Sequence, residues 1–301
     1  MPLWIPVAMT AALFQCWRTA MQQKLRGLMS VNAAGFVRYL YGVPMASLLF
    51  GAALWATGAS VPTPNGMFLL WCTLGGLAQI VATNLLIMSF GYRNFAVGTA
   101  YSKTETVQSA IFAWIVLGEA LSPAACVGIG IGLAGVMTLS LAGRGFGAGE
   151  LLRATVQPAA LCGLGSGVVF GFATVLIKLA NQALPGHTPV VAALFALVIA
   201  NSMQTLMQGG YLLLREPAEL KKAFSTWRSS MWVGTLSACG SACWFTGFAI
   251  GEIALVRAVG QVEIVFTLLF SKFYLKEVLK PGDVAGLALV VLGVVLVILW
   301  H

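Results

Sequence analysis

The stretch that decides the fold runs from Lys103 to Pro123 and reads KTETVQSAIFAWIVLGEALSP, an apolar run headed by a lysine and a glutamate. The stretch 261–281, QVEIVFTLLFSKFYLKEVLKP, repeats this arrangement 158 positions later, which is the interval from Glu105 to Glu263. The other matches at this offset are Phe112 with Phe270, Leu117 with Leu275, Glu119 with Glu277, Leu121 with Leu279, and Pro123 with Pro281. Chance matching of apolar segments does not readily supply paired glutamates and prolines. We therefore predict two copies of one unit, 1–150 and 151–301.

The composition around these stretches is typical of a membrane protein. Of the 301 residues, 59% are hydrophobic and 9% are charged, against about 25% charged in an ordinary soluble domain. Ten apolar stretches are long enough to cross a bilayer as helices, which takes about 20 residues each. They are 3–24, 32–56, 66–90, 95–117, 122–142, 156–182, 189–214, 229–250, 253–275 and 282–300.

Each unit then holds five spans, and an odd number forces the second copy to enter the membrane from the opposite side. The predicted fold is an all-α membrane protein with ten transmembrane helices arranged as two inverted five-helix repeats. Inverted repeats recur in secondary transporters, whose substrate site lies near the bilayer midplane where the halves meet.

The net charge of +8 would suggest a nucleic acid as partner of a soluble protein. Here the basic residues of the connections all follow odd-numbered spans, and none follows an even-numbered span. They are Lys24, Arg26, Arg93, Arg144, Arg153, Arg215, Lys221, Lys222, Arg228, Lys276 and Lys280. By the positive-inside rule this side faces the cytoplasm, so both termini are predicted to be periplasmic and no nucleic-acid partner is expected.

Glu105 and Glu263 lie within spans 4 and 9, where an ionisable side chain costs roughly 2.5 to 3.5 kcal/mol to insert. Their candidate cation partners are Lys103, Arg18 and Lys178. Two interpretations stay open. The glutamates face a central cavity as proton-coupling or substrate-ammonium sites, or they are structural ion-pair partners duplicated with the gene.

Other spans also carry polar faces, whereas spans 5 and 10 are smooth and rich in glycine, which favours close helix packing. In span 1 the polar residues fall at helical spacing on one face, which predicts that they turn toward protein or water. The candidate substrate-binding or coupling residues are Gln15, Arg18, Gln22, Gln79, Tyr101, Glu105, Lys178, Asn201, Gln204, Trp244 and Glu263.

Several residues have a simpler interpretation beside the functional one. Arg38, Tyr39 and Tyr41 are read as interfacial anchors, although they could also meet an anionic substrate. Glu119 is assigned a structural role at a helix end, and Lys178 lies close enough to a span end to snorkel. The segment 214–228 is predicted to form a short amphipathic interfacial helix.

The sequence gives no sign of catalysis. The two histidines, His187 and His301, lie at predicted membrane edges, and no nucleophile elbow, zinc-protease pair or phosphate loop is present. Cys239 and Cys243 have no neighbouring histidine or second cysteine pair, so no metal and no cofactor is expected.

Two copies of an apolar helix ending in Leu117-Gly118-Glu119 or Leu275-Lys276-Glu277, each followed by a proline and a glycine-rich helix, carry a family resemblance. With Phe36-Val37-Arg38-Tyr39-Leu40 in span 2, they resemble the EamA-like ten-helix branch of the drug/metabolite transporter superfamily. Members often have a proline directly after the paired glutamates. Thr106 and Ile264 stand there in this chain, which puts a helix kink in doubt. The family's basic loops also often lie on the side of the termini, unlike here.

The resemblance implies a secondary active transporter that works by alternating access in the bacterial inner membrane, most often an exporter coupled to protons or running as an exchanger. The cations Arg18, Lys103, Lys178 and Arg257 outnumber the two glutamates, which favours a small zwitterionic or anionic solute resembling an amino acid. The alternative is a flippase or membrane subunit that handles a lipid-linked or drug-like substrate. The expected partners are the solute and the lipid bilayer, with a homodimer left open.

Overall fold

The computed structural model describes residues 2–89, 101–141, 156–266, 269 and 281–299. All regular structure within these ranges is helical. The helices are α1 (Trp4–Arg26), α2 (Val31–Leu40), α3 (Gly42–Thr57), α4 (Gly66–Ser89), α5 (Glu105–Leu117), α6 (Pro123–Leu141), α7 (Pro158–Gln182), α8 (Pro189–Arg215), α9 (Pro217–Ser225), α10 (Trp227–Ile250), α11 (Ile253–Gly260) and α12 (Pro281–Leu299).

Five helical stretches are long and apolar enough to cross a membrane. They are Val31–Thr57, Gly66–Ser89, Pro158–Gln182, Pro189–Arg215 and Trp227–Ile250, and three shorter apolar helices are Glu105–Leu117, Pro123–Thr138 and Ala285–Leu299. The all-α membrane fold is thus confirmed, while the count of ten spans stays a prediction. The predicted boundary between the repeats, 150/151, lies outside the described residues.

Large apolar side chains cover the outside of the bundle, and polar side chains fill its centre. Trp55, Leu206 and Leu214 are 89%, 76% and 81% exposed, whereas Gln204 is fully buried. A soluble domain buries its apolar side chains and exposes its polar ones. The reversed distribution indicates that lipid surrounds this protein.

The two repeats run in opposite directions. Gly128 and Gly135 of α6 are equivalent to Gly286 and Gly293 of α12 at the offset of 158. A methyl group added at Gly128 would lie 3.0 Å from the carbonyl oxygen of Gly293, and one added at Gly135 would lie 2.8 Å from that of Gly286. The contact partners in α12 move from Gly293 back to Gly286 as the chain advances from Gly128 to Gly135 in α6, so the two helices are antiparallel. Equivalent helices that cross in this sense confirm the inverted repeat.

The remaining helix pairs obey the same symmetry. α1 packs along α10, and α7, the counterpart of α1, packs along α4, the counterpart of α10. The equivalent helices α6 and α12 are in contact, and so are α5 of span 4 and α11 of the equivalent span 9. The repeats are therefore interleaved, so each wall of the centre contains helices from both copies.

Span 2 is divided at Tyr41 into α2 and α3. Pro44 follows three residues later and has no N–H to donate to the carbonyl of Leu40, and its ring crowds that carbonyl. The separation into two helices follows from this lost hydrogen bond.

Spans 4 and 9 are interrupted at equivalent places, directly before each glutamate. Turns at 103–104 and 261–262 separate the preceding helical residues, 101–102 and α11, from the helical residues that begin at Glu105 and Glu263. Here the backbone bonds reach back three residues, as from Val107 N to Thr104 O and from Val265 N to Val262 O. The doubt about a kink without proline was wrong, because this tighter winding interrupts the helix without one.

The predicted amphipathic helix within 214–228 is present as α9, Pro217–Ser225. Glu216, the residue preceding it, accepts hydrogen bonds from Ser30 Oγ at 2.6 Å and Asn32 Nδ2 at 2.7 Å. Glu219 accepts one from the backbone N–H of Ser30. These bonds fix α9 against the start of α2.

Candidate functional site

The two interrupted helices bring Glu105 and Glu263 to the centre of the bundle. Glu105 Oε1 lies 2.5 Å from Arg257 NH1, and Glu263 Oε2 lies 2.6 Å from Lys103 Nζ. Each carboxylate is therefore paired with a cation of the other repeat. Of the predicted cation partners, Lys103 is confirmed as the partner of Glu263. Glu105 pairs instead with Arg257, which was not predicted to be its partner.

A second set of contacts joins this ion-pair network to α1 and α10. Gln15 Nε2 donates to Glu263 Oε2 at 2.8 Å, and Trp244 Nε1 donates to Gln15 Oε1 at 2.9 Å. The side-chain amide of Gln15 therefore donates through its nitrogen and accepts through its oxygen, and it holds the indole of Trp244 beside the carboxylate of Glu263.

Arg257 is held from three further directions. Its NH2 donates to Thr174 Oγ1 at 2.6 Å, and its guanidinium lies 4.8 Å from the ring centre of Trp244 and 4.9 Å from that of Phe248. Cations above aromatic faces are attracted to the ring electrons, most strongly where water is excluded.

These groups form one wall of a cavity between the repeats. Its lining comes from both repeats. The charged lining residues are four cations and two carboxylates, namely Arg18, Arg38, Lys103 and Arg257 with Glu105 and Glu263. The apolar lining includes Phe170, Ile177, Phe245 and Phe248. The cavity therefore carries an excess of positive charge beside an aromatic wall.

Arg38 is a cavity residue, so its interpretation as an interfacial anchor was wrong. It is only 7% exposed, and its NH1 donates to Thr83 Oγ1 at 2.9 Å. Since α2 begins at Val31, Arg38 lies two turns inside the helix, and its side chain is buried in the bundle. Tyr39 is also buried, with its hydroxyl 3.2 Å from the carbonyl oxygen of Gln79.

Of the eleven candidate residues, six line this cavity. They are Gln15, Arg18, Gln79, Glu105, Trp244 and Glu263. Arg257, which the sequence had counted among the cavity cations, lines the cavity as well. So do Thr174 and Ser241, which the sequence indicated only as members of the polar faces of spans 6 and 8.

Four other candidates are buried in the bundle without lining this cavity. Gln204 Nε2 donates to Gln79 Oε1 and to the carbonyl of Gly76, both at 3.1 Å. Gln22 Nε2 donates to the carbonyl of Ala34 at 3.1 Å. Asn201 packs against Gly42, and Tyr101 packs in a small apolar cluster with Ala160.

Lys178 lies apart from the cavity, at the other end of α5. It forms an ion pair with Glu119, and its Nζ donates to the carbonyl of Gly251 at 2.7 Å. Glu119 Oε2 also accepts the backbone N–H of Ile253 at 2.9 Å, at the start of α11. Glu119 therefore has the predicted role at a helix end, and its repeat counterpart Glu277 lies outside the described residues.

Comparison with known proteins agrees with this architecture. The model of the EamA-like transporter family matches residues 2–141 and 157–299, one match for each repeat. One solved protein crystal structure is 18% identical in sequence, covers 100% of this chain and 97% of its own, and has a TM-score of 0.72, which shows a shared fold. No curated protein matches the sequence. Because the family matches extend over both halves of the chain, this protein is a member of the EamA-like transporter family.

Proposed function

We propose that this membrane transporter is a secondary active carrier that moves a small zwitterionic or anionic metabolite, resembling an amino acid, by alternating access. The observation that carries the proposal is the cavity between the repeats, in which four cations face two carboxylates. A cationic solute would be repelled from such a cavity, whereas a carboxylate is attracted to it.

The ion pairs support a mechanism in which the two repeats, 1–150 and 151–301, rock against each other. Glu105–Arg257 and Glu263–Lys103 each join one repeat to the other, so relative motion changes both. Protonation of either glutamate would remove one attraction and release its cation, which would couple proton binding to the motion.

A third ion pair, Lys178–Glu119, lies at the opposite end of α5 from Glu105. Glu105 begins α5, and Glu119 follows its end, so the two carboxylates lie roughly 20 Å apart at 1.5 Å per residue. Lys178–Glu119 and the bond from Lys178 to Gly251 tie α5, α7 and α10 together there. We assign this contact to closure of the end opposite the basic loops.

The test is uptake by purified protein in liposomes, using pooled radiolabelled amino acids, sugars and nucleotides. We expect uptake of an amino-acid-like solute, with loss of its pH dependence in Glu105→Gln and Glu263→Gln and retention in the surface variant Lys222→Gln. If both glutamate variants transport as the wild type does at every pH, proton coupling is refuted while the fold remains.

The alternative function is that of a flippase or accessory subunit, and an apolar groove on the protein supports it. Between α5 and α6 an apolar groove is lined by Val107, Ile111, Trp114, Cys126 and Ile129. A flippase would translocate labelled lipid between leaflets and give no uptake of soluble metabolites, so the same liposomes separate the two functions.

We further propose that the protein lies in a bacterial inner membrane, exports its solute and has both termini in the periplasm. The basic connections support this orientation. A cysteine introduced at Lys221 or Lys222 should then be labelled only after the cells are opened. Labelling from outside intact cells would reverse the orientation.

A further inference from the structure

The cavity contains more positive charge than its own carboxylates compensate. Lys103 is paired with Glu263 and Arg257 with Glu105. Arg18 and Arg38 line the same cavity, and neither forms an ion pair with a carboxylate in the part of the chain that the structure describes. Each is 7% exposed.

Arg18 has the stronger requirement for a partner. Its Nε is buried and has no hydrogen-bond partner among the described residues. It is repelled by Arg38 and attracted by Glu263 and Glu105, but these two carboxylates already hold other cations at 2.6 and 2.5 Å. A buried charge without a close partner is costly, so an anion that entered the cavity would be bound strongly.

Arg38 supplies a second set of donors on the facing helix. A guanidinium carries five N–H donors in a rigid planar fork that matches a carboxylate. The bond from NH1 to Thr83 Oγ1 fixes the orientation of this fork. Tyr39, whose ring centre lies 5.4 Å from the guanidinium carbon, supports it from its own helix.

We infer that Arg18 and Arg38 form a subsite for the carboxylate of the transported solute, an inference that rests on the proposed transport function. The carboxylate binds between the two guanidinium groups, and the body of the solute lies against Phe170, Phe245 and Phe248. A monocarboxylate with an apolar body fits better than a phosphate, because Glu105 and Glu263 line the same cavity and repel a dianion more strongly than a monoanion.

The test compares acids with their uncharged amides on the purified full-length protein in detergent micelles. The probes are acetate with acetamide, benzoate with benzamide, and indole-3-acetate with indole-3-acetamide, together with inorganic phosphate. Affinity is measured by calorimetric titration. We expect at least one aromatic acid to bind about 10- to 100-fold more tightly than its amide, as hydrogen bonds to a charged group predict.

The variants Arg18→Gln and Arg38→Gln should abolish this preference for the acid. Arg18→Lys, which keeps the charge and loses the fork, should retain only part of it. Arg228→Gln is the matched control, because Arg228 is exposed outside the bundle. The acid–amide comparison on the wild type does not depend on whether any variant folds.

Three results would overturn the subsite. These are equal binding of acid and amide in every pair, tighter binding of phosphate than of any carboxylate, and a preference that survives both glutamine variants. Liposome uptake separates this inference from the transport function. Arginine-dependent binding of acids without uptake of any solute would refute transport, while uptake that is indifferent to Arg18 and Arg38 would refute only the subsite.

Discussion

Replacing Glu105 by glutamine should leave Arg257 buried without its counter-ion. Both side chains are largely hidden, at 15% and 12% exposure, and their charged atoms lie 2.5 Å apart. Glutamine keeps the shape and a hydrogen-bond acceptor, so the substitution removes the charge with little change in packing. The expected effect is therefore electrostatic.

The magnitude follows from the contacts that remain. Removing one partner of a buried ion pair costs about 3–5 kcal/mol, because the other charge stays buried. Arg257 retains its bond to Thr174 at 2.6 Å and the ring faces of Trp244 and Phe248, and desolvated cation–π contacts contribute about 2 kcal/mol. We expect Glu105→Gln to lower the free energy of unfolding by about 2–3 kcal/mol.

The assay is equilibrium unfolding in mixed micelles, followed by circular dichroism, on a double-mutant cycle. The cycle combines Glu105→Gln and Arg257→Gln, and the coupling energy expected for residues in direct contact is about 0.5–3 kcal/mol. Lys222→Gln is the control, since Lys222 pairs with Glu219 while half exposed and such pairs are worth about 0–1 kcal/mol. A coupling below about 0.5 kcal/mol would refute the reasoning.

Two further predictions concern packing and pH. Gly135→Ala should destabilise the protein by about 1–3 kcal/mol, because the new methyl group would lie 2.6 Å from a backbone nitrogen of α12. Gly130→Ala in the same helix meets open space and should be neutral or slightly stabilising by the same unfolding assay. Hydrogen bonds from Lys222 and the backbone N–H of Ser30 lower the pKa of Glu219 below its ordinary value of 4.5. This stabilisation is complete above about pH 4.5 and is lost as the pH falls through the lowered pKa, so Glu219→Gln should flatten this part of an unfolding-versus-pH profile. An unchanged profile would contradict this role.

The candidate site was predictable to the extent that helical spacing and charge define it. Gln15 and Arg18 share one face of span 1, and Glu105 and Glu263 are the duplicated acids of two apolar spans, so all four were identified before any geometry was known. Lys178 was identified on the same grounds, yet it pairs with Glu119 away from the cavity. Intramembrane charge indicates that a partner exists without indicating which partner it is.

The sequence alone determined the all-helical membrane fold, because a chain with 9% charged residues cannot satisfy its backbone in lipid except by helices or a closed barrel. The sequence also determined that the second repeat is inverted, because an odd number of spans in the first repeat makes the second start on the opposite side of the membrane. Only the tertiary structure decided that Glu105 meets Arg257, that Arg38 faces the cavity and that both central helices break before their glutamates. These depend on how the two copies interleave and on local winding at 103–104 and 261–262, and neither is encoded by the spacing of residues along one helix.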